Sequence, residues 1–304
     1  MKPSDETPLS ACSVVIASWS GEVALRSCLE SLLPQTARAE VIVALRGNPY
    51  SAILTNGRFR NVRFVHAPAD ATVFQLRSLG VLETHGAAIA LIEDHSVASP
   101  GWLQALANAT ASGATVCGGP IENDSESTAY DWALYFAEYA RFMPPVRSGE
   151  AAILSGANTL YDRAALWNCR PIWESSFYET DVNAAILNAG YKLHIVPDAL
   201  VTSRLRMSLA EATEHLFTGG FHFGNFRGSR SNSIVRWLWL ILSPAIPIVM
   251  LLRILGIVLT RSPDRVFRFV GSLPYLVVLF GAWSLGEAAG YLRGQPKVEN
   301  ADRH

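Results

Sequence analysis

Short β-branched runs and helix-spaced runs alternate through the first two thirds of the chain. This alternation narrows the fold more than any other feature. Ser13–Ala17, Glu40–Leu45, Val62–His66, Ala87–Ile92 and Thr115–Gly119 read as strands. A helix opens at Ser20-Gly21, keeps Val23, Leu25, Leu29, Leu32 and Leu33 at helical spacing, and ends at Pro34. Further helices are predicted over Val73–Thr84, closed by Gly86, and Asp181–Asn188, closed by Gly190. Another follows the cap Asp162, and one opens at the capping box Ser208-Leu-Ala-Glu211. Strands alternating with helices predict an α/β fold, a mostly parallel sheet flanked by helices.

After Asn232 the composition changes. Trp237–Leu252 and Val270–Gly286 carry no charge, and each falls a little short of the roughly 20 residues of a spanning helix. Arg236, Arg253 and Arg293 flank them and extend them by snorkelling, while Pro244 and Pro247 are expected to kink the first. Half of all residues are hydrophobic and only 17% are charged, with a mean hydropathy of +0.20. That balance favours a membrane-associated helical hairpin, spanning or re-entrant, over two buried core helices. The expected parts are a polar tail (1–10), an α/β domain (11–232), the hairpin (233–294) and a second polar tail (295–304). A net charge of -1 gives no general attraction to nucleic acid, and none is expected as a partner. The N-terminal MKPSDETPLSA lacks the apolar core of a secretory signal. Cys12, Cys28, Cys117 and Cys169 form no C-x-x-C pair and are expected to be reduced, buried thiols.

The stretch Ile89–Trp102 carries the densest chemistry. An apolar strand runs into Glu93, Asp94 and His95, and Ser99-Pro100 reads as the cap and first turn of a helix. Ligands of open α/β sheets collect just past the carboxyl ends of strands. Acidic and imidazole groups placed there suggest a cation-assisted site; the bland reading is a solvated turn.

Four segments then occur in order: SVVIASWSGEVALRSCLESLLPQ at the start, AIALIEDHSVASPGWL, SGANTLYDRAAL over Ser155–Leu166, and WESSFYETDVNAAILNAGYKLHIVPDALV from Trp173. Together they resemble the family 2 glycosyltransferases, which have the GT-A fold, from about Ala11 to Phe226. The resemblance implies that Glu93 and His95 take the two ends of the family's D-x-D element and hold a divalent cation, Mn²⁺ or Mg²⁺, with Mn²⁺ suiting the imidazole better. A gap-free count back from Gly190-Tyr191 puts Glu179 at the general base and Asp181 at the second acid; a frame shifted by two makes Asp181 the base. Helix N-terminal preference for acids accounts equally for both. The resemblance also implies donor contacts from Ser18, Arg77 (in Arg77-Ser78, like the family's R-N), Asp94 and Asn158. Arg46-Gly47-Asn48 stands where the family usually places acidic D-D-x-S, so the nucleotide base is left open. Arg227 and Arg230 are expected to meet either a diphosphate or lipid headgroups.

The resemblance implies an inverting transferase taking a sugar from a nucleotide-sugar donor to a lipid, lipid-linked or polysaccharide acceptor. Membrane lipids are expected partners, and the expected setting is the cell envelope, at the plasma (inner) membrane with the catalytic domain facing the cytoplasm. The missing acids after Leu45 and the altered metal element equally fit a catalytically degenerate, membrane-anchored binding or scaffold protein.

Overall fold

The computed structural model describes residues 9–47 and 57–293. The strands are β1 (Cys12–Ser18), β2 (Glu40–Arg46), β3 (Val62–Ala67), β4 (Ala88–Glu93), β5 (Ser96–Ala98), β6 (Val116–Gly118), β7 (Ile121–Asn123), β8 (Gly149–Ala151), β9 (Asn158–Asp162), β10 (Leu193–Ile195) and β11 (Val201–Ser203). The helices are α1 (Glu22–Leu32), α2 (Val73–Leu82), α3 (Trp102–Ala111), α4 (Ala129–Tyr139), α5 (Arg163–Asn168), α6 (Arg170–Trp173), α7 (Glu179–Asn188), α8 (Leu209–Ser229), α9 (Ser233–Leu242), α10 (Ile246–Arg261) and α11 (Val266–Arg293). They form two compact units, Met1–Ser125 with Phe142–Leu205, and Glu126–Arg141 with Arg206–His304. Helices α4 and α8, both within the expected 11–232 domain, thus pack with the C-terminal apolar helices. Asn48 and nearly all of the two polar tails lie outside the described residues.

The first unit holds an eight-stranded sheet in the order β3-β2-β1-β4-β9-β6-β10-β8. β1 pairs in parallel with both β2 and β4, and β9 runs antiparallel to β4 and β6. The sheet is mostly parallel, as the alternation predicts. Both faces of β1 and β4 are covered: every residue of the two strands is buried. That explains their unbroken apolar runs. A small second sheet, β5-β11-β7, is missed from sequence because three-residue strands are too short to show a period. The chain leaves β1 toward β2 and β3 on one side, then returns to β4 on the other. The carboxyl ends of β1 and β4 therefore form the switch point where such sheets bind ligands.

Local caps explain the helix starts. Asp162 accepts from the Ala165 N–H, and Ser208 with Glu211 forms the expected box. Two caps differ from expectation. Gly101, in the left-handed region at φ 80°, caps α3 in place of Ser99, whose carbonyl accepts from Trp102 N–H and Gln35 Nε2. Gly21, at φ 105°, caps α1 without a side chain, because Ser20 is drawn into the site described below. All four cysteines are free and buried, and burial pushes the Cys12 thiol up to about 11.

The second unit is helical. Ser233–Arg261 and Pro263–Arg293 are each long and apolar enough to cross a membrane, and they form a hairpin-like end to the chain. On the first, Ile234 is 82% exposed and Ile241 71%, an apolar face that water does not favour. α8 and α11 meet through glycines. A Cβ at Gly220 or Gly224 would overlap the carbonyl oxygens of Trp283 or Glu287, and one at Gly286 or Gly290 those of Phe217 or Phe221. This is the small-residue spacing that lets helix backbones touch. Aromatic α4 belongs to the same unit: Phe136 stacks edge-on against Phe269 and Tyr130 against Tyr275.

Candidate active site

Asp94 is the hinge of the strand-end cluster. It is buried, and its Oδ2 accepts from the Trp19 N–H (2.8 Å), the Ser20 N–H (2.7 Å) and Ser18 Oγ (3.0 Å). Its Oδ1 accepts from Ser20 Oγ at 2.7 Å. One carboxylate thereby fixes the turn leaving β1 against the end of β4. Ser20, whose role was not foreseen, is signalled in sequence only by standing just before the left-handed Gly21.

His95 is enclosed beside it. Its Nδ1 lies 3.2 Å from Ser20 Oγ and 3.5 Å from Asp94 Oδ1, and its Nε2 lies 3.1 Å from Glu93 Oε2. Trp19 packs edge-on over the ring, with centroids 5.9 Å apart. Burial alone would lower its pKa, but the hydrogen bonds and charges of Asp94 and Glu93 outweigh it and raise the pKa to about 9.

Glu93 ends β4 and pairs through Oε1 with Arg77 of α2. The same guanidinium reaches Glu179 Oε2 at 2.7 Å through NH1. A sequence separation of 102 residues is closed by contacts between α2 and the segment entering α7. The Phe177 N–H donates to Phe74 O (3.0 Å), Ser78 Oγ donates to Trp173 O (2.7 Å), and the Phe74 and Tyr178 rings meet edge-on. Asn183 then ties α7 to the Leu154 carbonyl at 2.8 Å. Glu179 opens α7, with Asp181 in the same first turn. Gly156 lies over the guanidinium: a Cβ there would stand 2.8 Å from Arg77 NH1. Gly156 sits in the S-G-A-N segment, the one sequence cue to its role.

The cluster thus gathers Ser18, Arg77, Glu93, Asp94, His95 and Glu179. Three other expected contacts are Asn158, Arg227 and Arg230. Asn158 serves as a brace, with Nδ2 donating to Pro120 O and Ala199 O and Oδ1 accepting from Trp102 Nε1. Arg227 and Arg230 belong to the second unit. There Arg227 lies over the Trp239 ring at 3.4 Å and faces Glu287 at 3.7 Å, while Arg230 lies over Phe226 at 3.7 Å. A hollow of about 260 Å³ past the end of β3 is lined by His66, Asp70, Gln75 and Leu79 among others. None of the cluster residues lines it.

The expected cation ligands do not fit a metal as they are arranged. The ring nitrogens of His95 face Ser20, Asp94 and Glu93, so both are already engaged. The two oxygens of Glu93 face Arg77 and His95. Among the described residues no three His, Cys, Asp or Glu side chains are grouped to hold an ion.

The ionic cluster stands at the switch point, where open α/β sheets bind their ligands. The family model described as Glycosyl transferase family 2 matches residues 13–170, just over half of the chain, and the chain belongs to that family. Among solved structures it is similar to the crystal structure of GalNAc-T7 with UDP, GalNAc and Mn²⁺, at a TM-score of 0.51 and 15% identity, over 65% of this chain and 44% of that one. The chain therefore spans less than half the length of that relative, and the likeness is one of fold: a GT-A-like, mostly parallel sheet with flanking helices. No curated protein matches the chain.

Proposed function

We propose that the first unit transfers a sugar, with inversion, from a nucleoside diphosphate donor to a hydroxyl of a lipid, lipid-linked or polysaccharide acceptor. The observation that carries this reading is the bridge from Glu93 through Arg77 to Glu179, which puts a carboxylate of α7 at the switch point of the sheet. Its side chain is 25% exposed, against 6% for Arg77, so it is the member of the cluster that an acceptor reaches. Glu179 takes the acceptor proton as the acceptor oxygen attacks the anomeric carbon. The bond from that carbon to the diphosphate breaks, and the electron pair leaves with the nucleoside diphosphate. Asp94, Ser18 and Ser20 hold the floor of the site, and the hollow beyond β3 offers Asp70 and Gln75 where the turn after β2 lacks an acid.

The apolar faces of the C-terminal helices support a lipid-borne acceptor and a place at the plasma (inner) membrane, with the first unit in the cytoplasm where nucleotide sugars are found. The chain is then retained in membranes washed with alkaline carbonate and high salt; its release would remove that support. The transfer itself is tested by supplying labelled nucleotide sugars to the chain in bilayers and following label into lipid extract or soluble glycan. Glu179→Gln and Asp181→Asn are run beside the parent. Loss in Glu179→Gln supports the assignment, loss only in Asp181→Asn moves the base, and full turnover in both points to a phosphate acceptor, which needs no base. No transfer from any donor favours a binding or scaffold protein.

A further inference from the structure

The place expected to hold a divalent metal is filled by a side-chain cation. Arg77 is 6% exposed and engages Glu93 and Glu179 at once. Three neighbours fix it: those two carboxylates and Gly156, where any Cβ would come within 2.8–3.2 Å of the guanidinium NH1, CZ and NH2 atoms. The Phe74 ring flanks it at 5.7 Å. The remaining donor atoms of the expected metal element are spent on one another, as His95 spans Ser20 and Glu93 while Asp94 accepts from Ser18, Trp19 and Ser20. A second guanidinium, Arg46, ends β2 one residue beyond Leu45, the register partner of Ser18. Its Nε is buried without a hydrogen-bond partner among the described residues, and it stands where the resemblance leads one to expect an acid.

We infer that Arg77 is the resident cation of the donor site, and that the chain binds the diphosphate of its donor without a divalent metal ion. This rests on the reading of the strand-end cluster as the donor site. A guanidinium presents a planar fork of N–H donors that suits phosphate as well as carboxylate oxygens. An arriving diphosphate competes with the two carboxylates for that fork. Glu179, the more exposed of the two, is the one that yields, and it is freed toward the acceptor as the donor seats. When the anomeric bond breaks, the guanidinium meets the charge that develops on the leaving diphosphate oxygen, the part a metal otherwise plays.

The test is equilibrium binding of UDP, GDP and ADP to the full chain in detergent, with excess EDTA and, separately, with Mn²⁺. Binding of at least one of them in EDTA, within about threefold of its Mn²⁺ affinity, is expected of a site that gains nothing from the metal. Binding only with Mn²⁺ overturns the inference and leaves the transferase reading standing. Absence of binding in both conditions overturns both. Arg77→Gln is expected to weaken binding in EDTA by about 10- to 100-fold, the loss of a charge-assisted contact; unchanged binding overturns the assignment. If Arg77→Gln fails to fold by circular dichroism, Gly156→Ala serves instead. It keeps the cation but pushes it aside, and it is expected to weaken EDTA binding several-fold, with unchanged binding again the contrary result.

Discussion

Each unit contains an arginine–carboxylate cluster, and the two are built differently. In the first unit, Arg77 joins Glu93 and Glu179, which come from the end of a strand and the start of a helix far apart in sequence. In the second, Glu287 is served by its own helix: Trp283 Nε1 and Tyr291 Oη, one turn to either side, donate to it at 3.1 and 2.6 Å. Arg227 approaches it at 3.7 Å from α8, beside the glycine contacts. The Glu287 side chain is 4% exposed, whereas that of Glu179 is 25% exposed. A carboxylate held by distant elements at a strand end is placed for a ligand. One satisfied within its own helix and sealed by a partner helix locks packing. Removing one member of a buried pair strands the other, so both clusters are costly to break, but only the first is expected to change chemistry.

Steric changes sharpen the contrast most. Gly224→Val forces a side chain into the Glu287 carbonyl and is expected to cost the second unit more than ~3 kcal/mol. Thermal unfolding in detergent reads this, and an unchanged Tm would mean the helices do not touch there. A smaller effect comes from pH. His95 is charged in the folded chain up to about pH 9, against an ordinary value of 6.5. Its contribution is fully present below about pH 6.5 and is lost as pH rises through about 9. Urea midpoints of the parent should therefore fall between pH 7 and 9.5, and His95→Gln should flatten that fall. The smallest effect is expected at exposed Arg230, stacked on half-buried Phe226. Arg230→Ala should cost no more than about 1 kcal/mol, and a larger loss of Tm would show that it holds more than a ring.

Much of the strand-end site is legible in the sequence because it is local. The run Ile89–Ile92 into Glu93-Asp94-His95 shows both the strand and its chemical end, and the count from Gly190-Tyr191 finds the first turn of α7. What escapes is whatever depends on distant partners. Arg77 reads as a donor contact, but nothing in the pattern shows that it also pairs with Glu179, 102 residues away. Asn158 looks like part of a binding motif, and its bonds to Pro120, Ala199 and Trp102 are not visible there. Ser20 looks like a helix cap, yet Asp94 claims it. Polar side chains bond to the nearest competent partner in three dimensions, and a linear pattern does not record which one that is.

The measurement that bears most directly on the difference between the clusters is sugar turnover by Glu179→Gln and Glu287→Gln, prepared side by side in the same bilayers. Both swaps keep size and replace one carboxyl group by an amide. Glu179→Gln is expected to lose about 10²- to 10⁴-fold in turnover, as loss of a positioned base does, while Glu287→Gln stays within a few-fold of the parent. Normal turnover in Glu179→Gln with collapse in Glu287→Gln would place the chemistry in the helical unit and contradict the assignment of the strand-end cluster.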